Sequence, residues 1–181
     1  MNNKLILEGK RILLQRVSMD DVGAEYLSWL NDDDVTRGLD TISKPYTLEM
    51  LQQYISDVVK NENTYMFMVI DKESKKRIGT AKIHNINKTN NTCNLGLMIG
   101  DKNFWGKGYG QDAYNTAIEF AFSGLGIRKI WEMAHATNVA SLSMCKKAGF
   151  QIEGVLKEQV LSEGKYVDKV LLGLFAINWK K

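Results

Sequence analysis

One proline, two cysteines and two histidines in 181 residues are low counts, and each excludes something. A single proline, Pro45, leaves no room for a Pro-rich linker or a collagen-like repeat. Cys93 and Cys145 stand far apart, with no Cys or His at ligand spacing. Neither a zinc site nor a disulfide framework is expected, and no metal. No apolar run reaches the roughly 18 residues that a membrane-crossing helix requires. Residues 1–8 lack the apolar stretch and cleavage site of a secretion signal. The expected address is therefore cytoplasmic, with no membrane partner. Basic residues exceed acidic ones only as 24 against 21, and they are scattered. Without a basic stripe, no nucleic-acid partner is expected.

What is present is ordinary for a globular chain: 44% apolar and 25% charged residues. The length suits one domain over residues 1–181. A chain of this size buries about 70% of its unfolded surface, enough for a core of its own.

The periodicity gives an order of elements. Residues 11–17 are β-rich. Ser18, followed by Asp20 and Asp21, can cap a helix carrying Val22, Tyr26, Leu27, Trp29 and Leu30. The run Asn31, Asp32, Asp33, Asp34 breaks it, and residues 32–46 are expected to be a loop. Thr47 can cap a second helix, striped by Leu48, Leu51, Tyr54, Ile55 and Val58. Strands are expected at residues 65–70, 77–86 and 94–99. A glycine-rich segment then leads into a helix at 111–122, ended by Gly124 and Gly126. A strand at 128–134, a helix from Asn138 to Ala148 and strands at 149–160 and 167–176 complete the chain. Helices interspersed with hairpins predict an α/β domain with a mixed, helix-covered sheet.

The chemistry concentrates in residues 94–111, N-L-G-L-M-I-G-D-K-N-F-W-G-K-G-Y-G-Q. A strand ends, glycines follow and a helix begins. Glycine lets main chain approach a ligand, and free amides at a helix start attract anions. The Walker string G-x-x-x-x-G-K-[ST] is absent. A dinucleotide fingerprint can be laid over Gly108, Gly110 and Ala113, with Glu132 as its acid. That fingerprint should follow its strand at once, and here several residues intervene.

The run W-G-K-G-Y-G, from Trp105 to Gly110, resembles the motif [QR]-x-x-G-x-[GA] of the GNAT superfamily of N-acetyltransferases, with Trp105 at the Gln/Arg position. Asn138 and Ser141 with Lys147, Gly149 and Phe150 resemble that family's later N-x-x-S…K-x-G-F. The opening around Arg16, Tyr26, Leu27, Trp29, Leu30 and Asn31 resembles its RimJ/RimL-type branch, and so does the end from Glu153 to Asp168. The resemblance covers nearly the whole chain. It implies a mixed, mostly antiparallel seven-stranded sheet with helices on both faces and a splay between the central strands. It implies acetyl-CoA as co-substrate, with direct acetyl transfer to an amine.

By that resemblance, Trp105, Gly106, Lys107, Gly108, Tyr109, Gly110 and Gln111 would hold the pyrophosphate. Met98, Ile99 and Gly100 would pair with the pantetheine arm, and Ile99 would supply an oxyanion amide. Asn138 would also bond that arm, with helix capping as its plain alternative. The tyrosine that serves many relatives as acid is replaced by Cys145, so Ser141 is the candidate acid. Glu158 and Glu132 are the candidate bases, beside His84, His135 and a water relay. Trp29, Asn31, Arg37, Tyr46 and His84 are candidates for the acceptor side. The expected acceptor is a small-molecule amine, first an amino-sugar nucleotide, then a protein N-terminus or a polyamine. A non-catalytic acyl-CoA-binding module is the alternative class. A homodimer through the closing strands is possible.

Overall fold

The computed structural model describes residues 5–38, 45–162 and 164–180. Strands β1 (Ile6–Glu8) and β2 (Ile12–Arg16) form a hairpin. Helices α1 (Ala24–Leu30), α2 (Asp33–Thr36) and α3 (Leu48–Lys60) follow. Then come β3 (Tyr65–Asp71), β4 (Arg77–Asn87), β5 (Thr92–Ile99) and α4 (Tyr109–Glu119). The chain closes with β6 (Lys129–His135), α5 (Val139–Lys147), β7 (Gln151–Ser162) and β8 (Lys165–Phe175).

The strands form one sheet of eight, in the order β1-β2-β3-β4-β5-β6-β8-β7. Every neighbouring pair is antiparallel except β5 and β6. Alternation along β3 sends Phe67 and Val69 into one core and Met66 and Met68 into another. The first core is covered by α4 and α5 through Ala113, Tyr114, Ala117, Ile118 and Cys145. The second is covered by α1 and α3 through Tyr26, Trp29, Leu51 and Ile55. Helices therefore lie on both faces. Among the described residues no helix is long and apolar enough to cross a membrane.

Most elements lie where periodicity puts them. The Thr47 hydroxyl accepts from Met50 N at 3.3 Å and starts α3. The Asn138 carbonyl accepts from Ser141 N at 3.0 Å and starts α5. Three expectations need correction. The sheet has one strand more than seven, because β1 adds an edge that is too short to show a period. The expected loop contains α2, whose amides Asp34 N and Val35 N are capped by the Asp32 carboxylate. Ser18 caps only a single 3-10 turn, Met19–Asp21, before α1 begins. Residues 39–44 of the expected loop lie outside the described residues.

Two features position the site. Strands β5 and β6 pair only at Thr92 with Lys129 and Cys93 with Ile130, and then part. At the outer edge, β7 leaves Ile152, Val155, Leu156 and Leu161 exposed.

Candidate active site

The glycine segment forms an open cradle at the start of α4. Gly106 has φ of +70° and Gly108 has φ of +86°, the left-handed region that side chains resist. A Cβ at either position would meet nothing within 4 Å, so backbone conformation alone demands glycine there. Gly108 is the N-cap of α4. The first amides of a helix have no carbonyl a turn earlier to bind, and they face an anion favourably. This cradle suits the pyrophosphate of a coenzyme. Several of the segment's side chains are engaged elsewhere. The Tyr109 side chain is buried, edge-on to Phe104 at 4.9 Å. The Gln111 side chain donates to Asn115 at 3.1 Å and to Met144 O at 3.4 Å. Lys107 is exposed beside the loop. Trp105 packs its indole N–H onto Ile99 O at 2.7 Å and so joins the loop to the end of β5.

Where β5 and β6 part, side chains replace the ladder. The Glu132 carboxylate accepts from Leu95 N across the gap. Asn94 Nδ2 donates to Trp131 O, and Asn85 Nδ2 donates to Asn94 Oδ1 at 3.1 Å. Main-chain groups of a strand alternate sides. Leu95 N faces the seam, so Leu97 N and Ile99 N face it too. Gly100 N instead donates to Ile78 O at 2.9 Å, toward β4. Met98 shares that side by the same alternation. Of Met98, Ile99 and Gly100, only Ile99 presents its main chain to the seam, and Leu97 joins it. Leu97 escaped notice, although the period of two along the strand was available to find it.

Glu132 is the acid that the structure brings into the seam. The residue is half-buried, and its carboxyl end is enclosed between the strands. Burial pushes its pKa up to about 8, partly opposed by the Leu95 amide. Burial, with Glu132 nearby, also pushes the Cys93 thiol up to about 12. Below the seam the Tyr114 hydroxyl meets Cys145 Sγ at 3.5 Å. The Glu132 charge acts on both Cys145 and Tyr114. Cys145 is buried, one turn after Ser141 on α5. Both cysteines are free thiols.

The other candidates fall elsewhere. Glu158 is exposed on β7, with β8 between that strand and β6. It sits in a bulge at φ of 48°, where its amide donates to Asp168 Oδ1 at 2.9 Å. His84 faces burial and Lys82, which depress it to about 4, so it is neutral and weakly basic at pH 7.

Four of the five acceptor-side candidates, all but His84, lie on or beside α1 and α2. A Cβ on Gly100 would run into the Trp29 indole, so the buried Trp29 ring packs on the end of β5. Asn31 and Tyr46 clasp each other. Asn31 Nδ2 donates to Tyr46 O at 2.9 Å, and Tyr46 N donates to Asn31 Oδ1 at 2.8 Å. Arg37 pairs with Asp34 at 3.1 Å. Lys102 bridges Asp32 at 2.7 Å and Asp34 at 3.0 Å, tying α2 to the segment after β5. Gly38 presses against the amide of Asn138. The protein's own cations thus take up two acids of this run, Asp32 and Asp34.

Residues 11–151 match the acetyltransferase (GNAT) domain family, which is more than half of the chain. The chain belongs to this family. It is an N-acetyltransferase with acetyl-CoA as co-substrate. It is similar to an N-acetyltransferase called p20 from Bacillus licheniformis, 26% identical over 170 residues, covering 91% of this chain and 93% of that protein. It is also similar to the ribosomal protein uS5 alanine N-acetyltransferase of Escherichia coli, 29% identical over 126 residues, covering 69% of this chain and 64% of that one. The fold matches the spermidine N-acetyltransferase of Vibrio cholerae, crystallised with CoA and spermine, at a TM-score of 0.84 and 20% identity, over 93% and 97% of the two chains. It matches the ribosomal-protein-S5-alanine acetyltransferase of Vibrio fischeri at 0.83 and 23% identity, over 98% and 100%.

Proposed function

We propose that this N-acetyltransferase acts on the α-amine of a polypeptide N-terminus, with Glu132 receiving the proton. The observation that carries this is the seam itself, where Glu132 and the amides of Leu97 and Ile99 line one gap beside the glycine cradle. The glycine loop and the first turn of α4 hold the pyrophosphate through main-chain N–H groups. The Leu97 and Ile99 amides bond the pantetheine arm like an added strand. One of them, Ile99 at the mouth, faces the thioester oxygen as negative charge grows on it. Asn138 keeps α5 aimed at the seam. Ser141, near the start of α5, returns a proton to the departing sulfur.

The proton affinity of the amine itself sets the cost of handing a proton to Glu132. A free α-amine has a pKa of about 7.7–8.0, and a lysine-like amine about 10.4. A carboxylate that binds its proton at about 8 takes one from an α-ammonium almost without cost. Taking it from an alkyl ammonium costs about 3 kcal/mol more. The charge pattern at the acceptor side supports the same choice. Asp32 and Asp34 are paired with Lys102 and Arg37, which leaves neither an unpaired acidic pair for a polycation nor those two cations for a nucleotide phosphate. The relative from Escherichia coli is itself named for an alanine of ribosomal protein uS5 as acceptor.

The test is thiol release from acetyl-CoA with peptides bearing free N-termini, amino-sugar nucleotides and polyamines, with the site of modification read by mass. Acetylation at a peptide α-amine is expected. Turnover confined to the amino sugars or to the polyamines refutes the acceptor assignment. Binding of acetyl-CoA without turnover of any amine refutes the catalytic role of the seam.

A further inference from the structure

We infer that Arg11 is a positioning residue for the coenzyme pyrophosphate, locking the glycine loop with its amides turned toward the anion. The inference rests on the assignment of residues 106–111 as the pyrophosphate cradle. Arg11 comes from the β1–β2 hairpin, 96 residues before its target in the chain. Its Nη1 donates to Lys107 O at 2.7 Å. Its guanidinium carbon lies 3.8 Å above the centroid of the Tyr109 ring. That ring is fixed in turn by the edge of Phe104 and is itself buried.

The root of Arg11 is equally fixed. The Asp112 carboxylate, in the first turn of α4, accepts from Arg11 N at 2.7 Å and from Lys10 N at 3.0 Å. Lys72 N donates to Arg11 O at 2.9 Å. A Cβ on Gly9 would strike Thr116 and Asp112, so the hairpin lies directly on α4. The arrangement engages the Asp112 charge on the hairpin side rather than leaving it to repel a phosphate.

The consequence follows from peptide planarity. In a trans peptide the carbonyl of one residue and the N–H of the next point in opposite directions. Holding the Lys107 carbonyl toward Arg11 therefore holds the Gly108 N–H away from it, on the other side of the loop. A loop with glycines at 106 and 108 is otherwise free to flip that peptide. A flip would replace an N–H by a carbonyl oxygen facing the phosphate oxygens. The guanidinium suits this task because it stacks flat on a ring while donating in its own plane.

The experiment compares two donors, acetyl-CoA and acetyl-pantetheine, which lacks the pyrophosphate and nucleotide. Arg11 is exposed, so Arg11→Ala leaves both cores intact. Arg11→Ala is expected to raise KM for acetyl-CoA about tenfold, with kcat within about twofold. Its kcat/KM for acetyl-pantetheine stays within about twofold of the parent. Arg11→Lys recovers little, because an ammonium supplies charge but neither the flat stack nor the fork. Equal losses with both donors would show a merely structural role and overturn the inference. An unchanged KM for acetyl-CoA would overturn it as well. If the parent protein uses both donors equally, the cradle assignment itself fails, and the inference falls with it.

Discussion

Glu132→Gln is the perturbation that separates a proton acceptor from a polar spacer. The amide oxygen of glutamine can still accept from Leu95 N, so the seam keeps its width while the ionisable group is lost. In the parent, a pKa of about 8 leaves roughly one carboxyl in ten ionised at pH 7. Turnover is therefore expected to climb about tenfold from pH 7 to a plateau above 8. An α-amine titrates in the same range, so the climb alone proves little. The decisive comparison is at pH 9, where the free amine is already neutral. There Glu132→Gln is expected to lower kcat by about 100-fold or more. Stability supplies a second reading of the same group. The carboxyl binds its proton at about 8 in the folded protein, against an ordinary value of 4.5. Between those values the folded state holds a proton that the unfolded state has released, so stability falls as pH rises through the window. The full shift, from 4.5 to about 8, corresponds to at most about 5 kcal/mol. Solvent at the open mouth of the seam lowers that ceiling. Urea titrations at pH 5.5, 7 and 9 should show Glu132→Gln gaining on the parent at each step. A variant that keeps half of its turnover at pH 9, or whose stability runs parallel to the parent across this window, refutes the assignment.

Gly108→Val places a branched side chain at φ of +86° in open space, so its effect is conformational. It should cost about 1–3 kcal/mol of stability by chemical denaturation. By calorimetry it should weaken acetyl-CoA about tenfold or more. Ser141→Ala should lower kcat about 10- to 100-fold while leaving acetyl-CoA affinity unchanged, and an unchanged kcat removes Ser141 as the acid. Lys102→Ala leaves Asp32 without its Lys102 partner. Measured on an acceptor panel, it should raise turnover of polycationic amines relative to peptides. No change in that ratio would mean that the paired acids do not govern acceptor choice.

Local chemistry was legible because it needs only neighbours in the chain. The Thr47 and Asn138 caps, the stripe of α3 and the left-handed glycines at 106 and 108 follow from residue type and spacing alone. Together they marked the glycine segment and the helix that follows it. What the sequence could not decide was set by contacts between distant segments. Two glutamates were candidates, Glu158 before Glu132, and only the strand order puts Glu132 in the seam and Glu158 on the edge strand beyond β8. Ile99 and Leu97 present their amides because β5 leaves β6 after two residue pairs, a divergence that no single strand encodes. The acids of α2 looked available as a run, yet Lys102, 68 residues away from Asp34, takes them up. Arg11 reads as one more basic residue in a hairpin, until folding lays that hairpin on α4. Side-chain and backbone polar groups bind whatever the fold brings near, so residue types choose the local conformations and the tertiary structure chooses the partners.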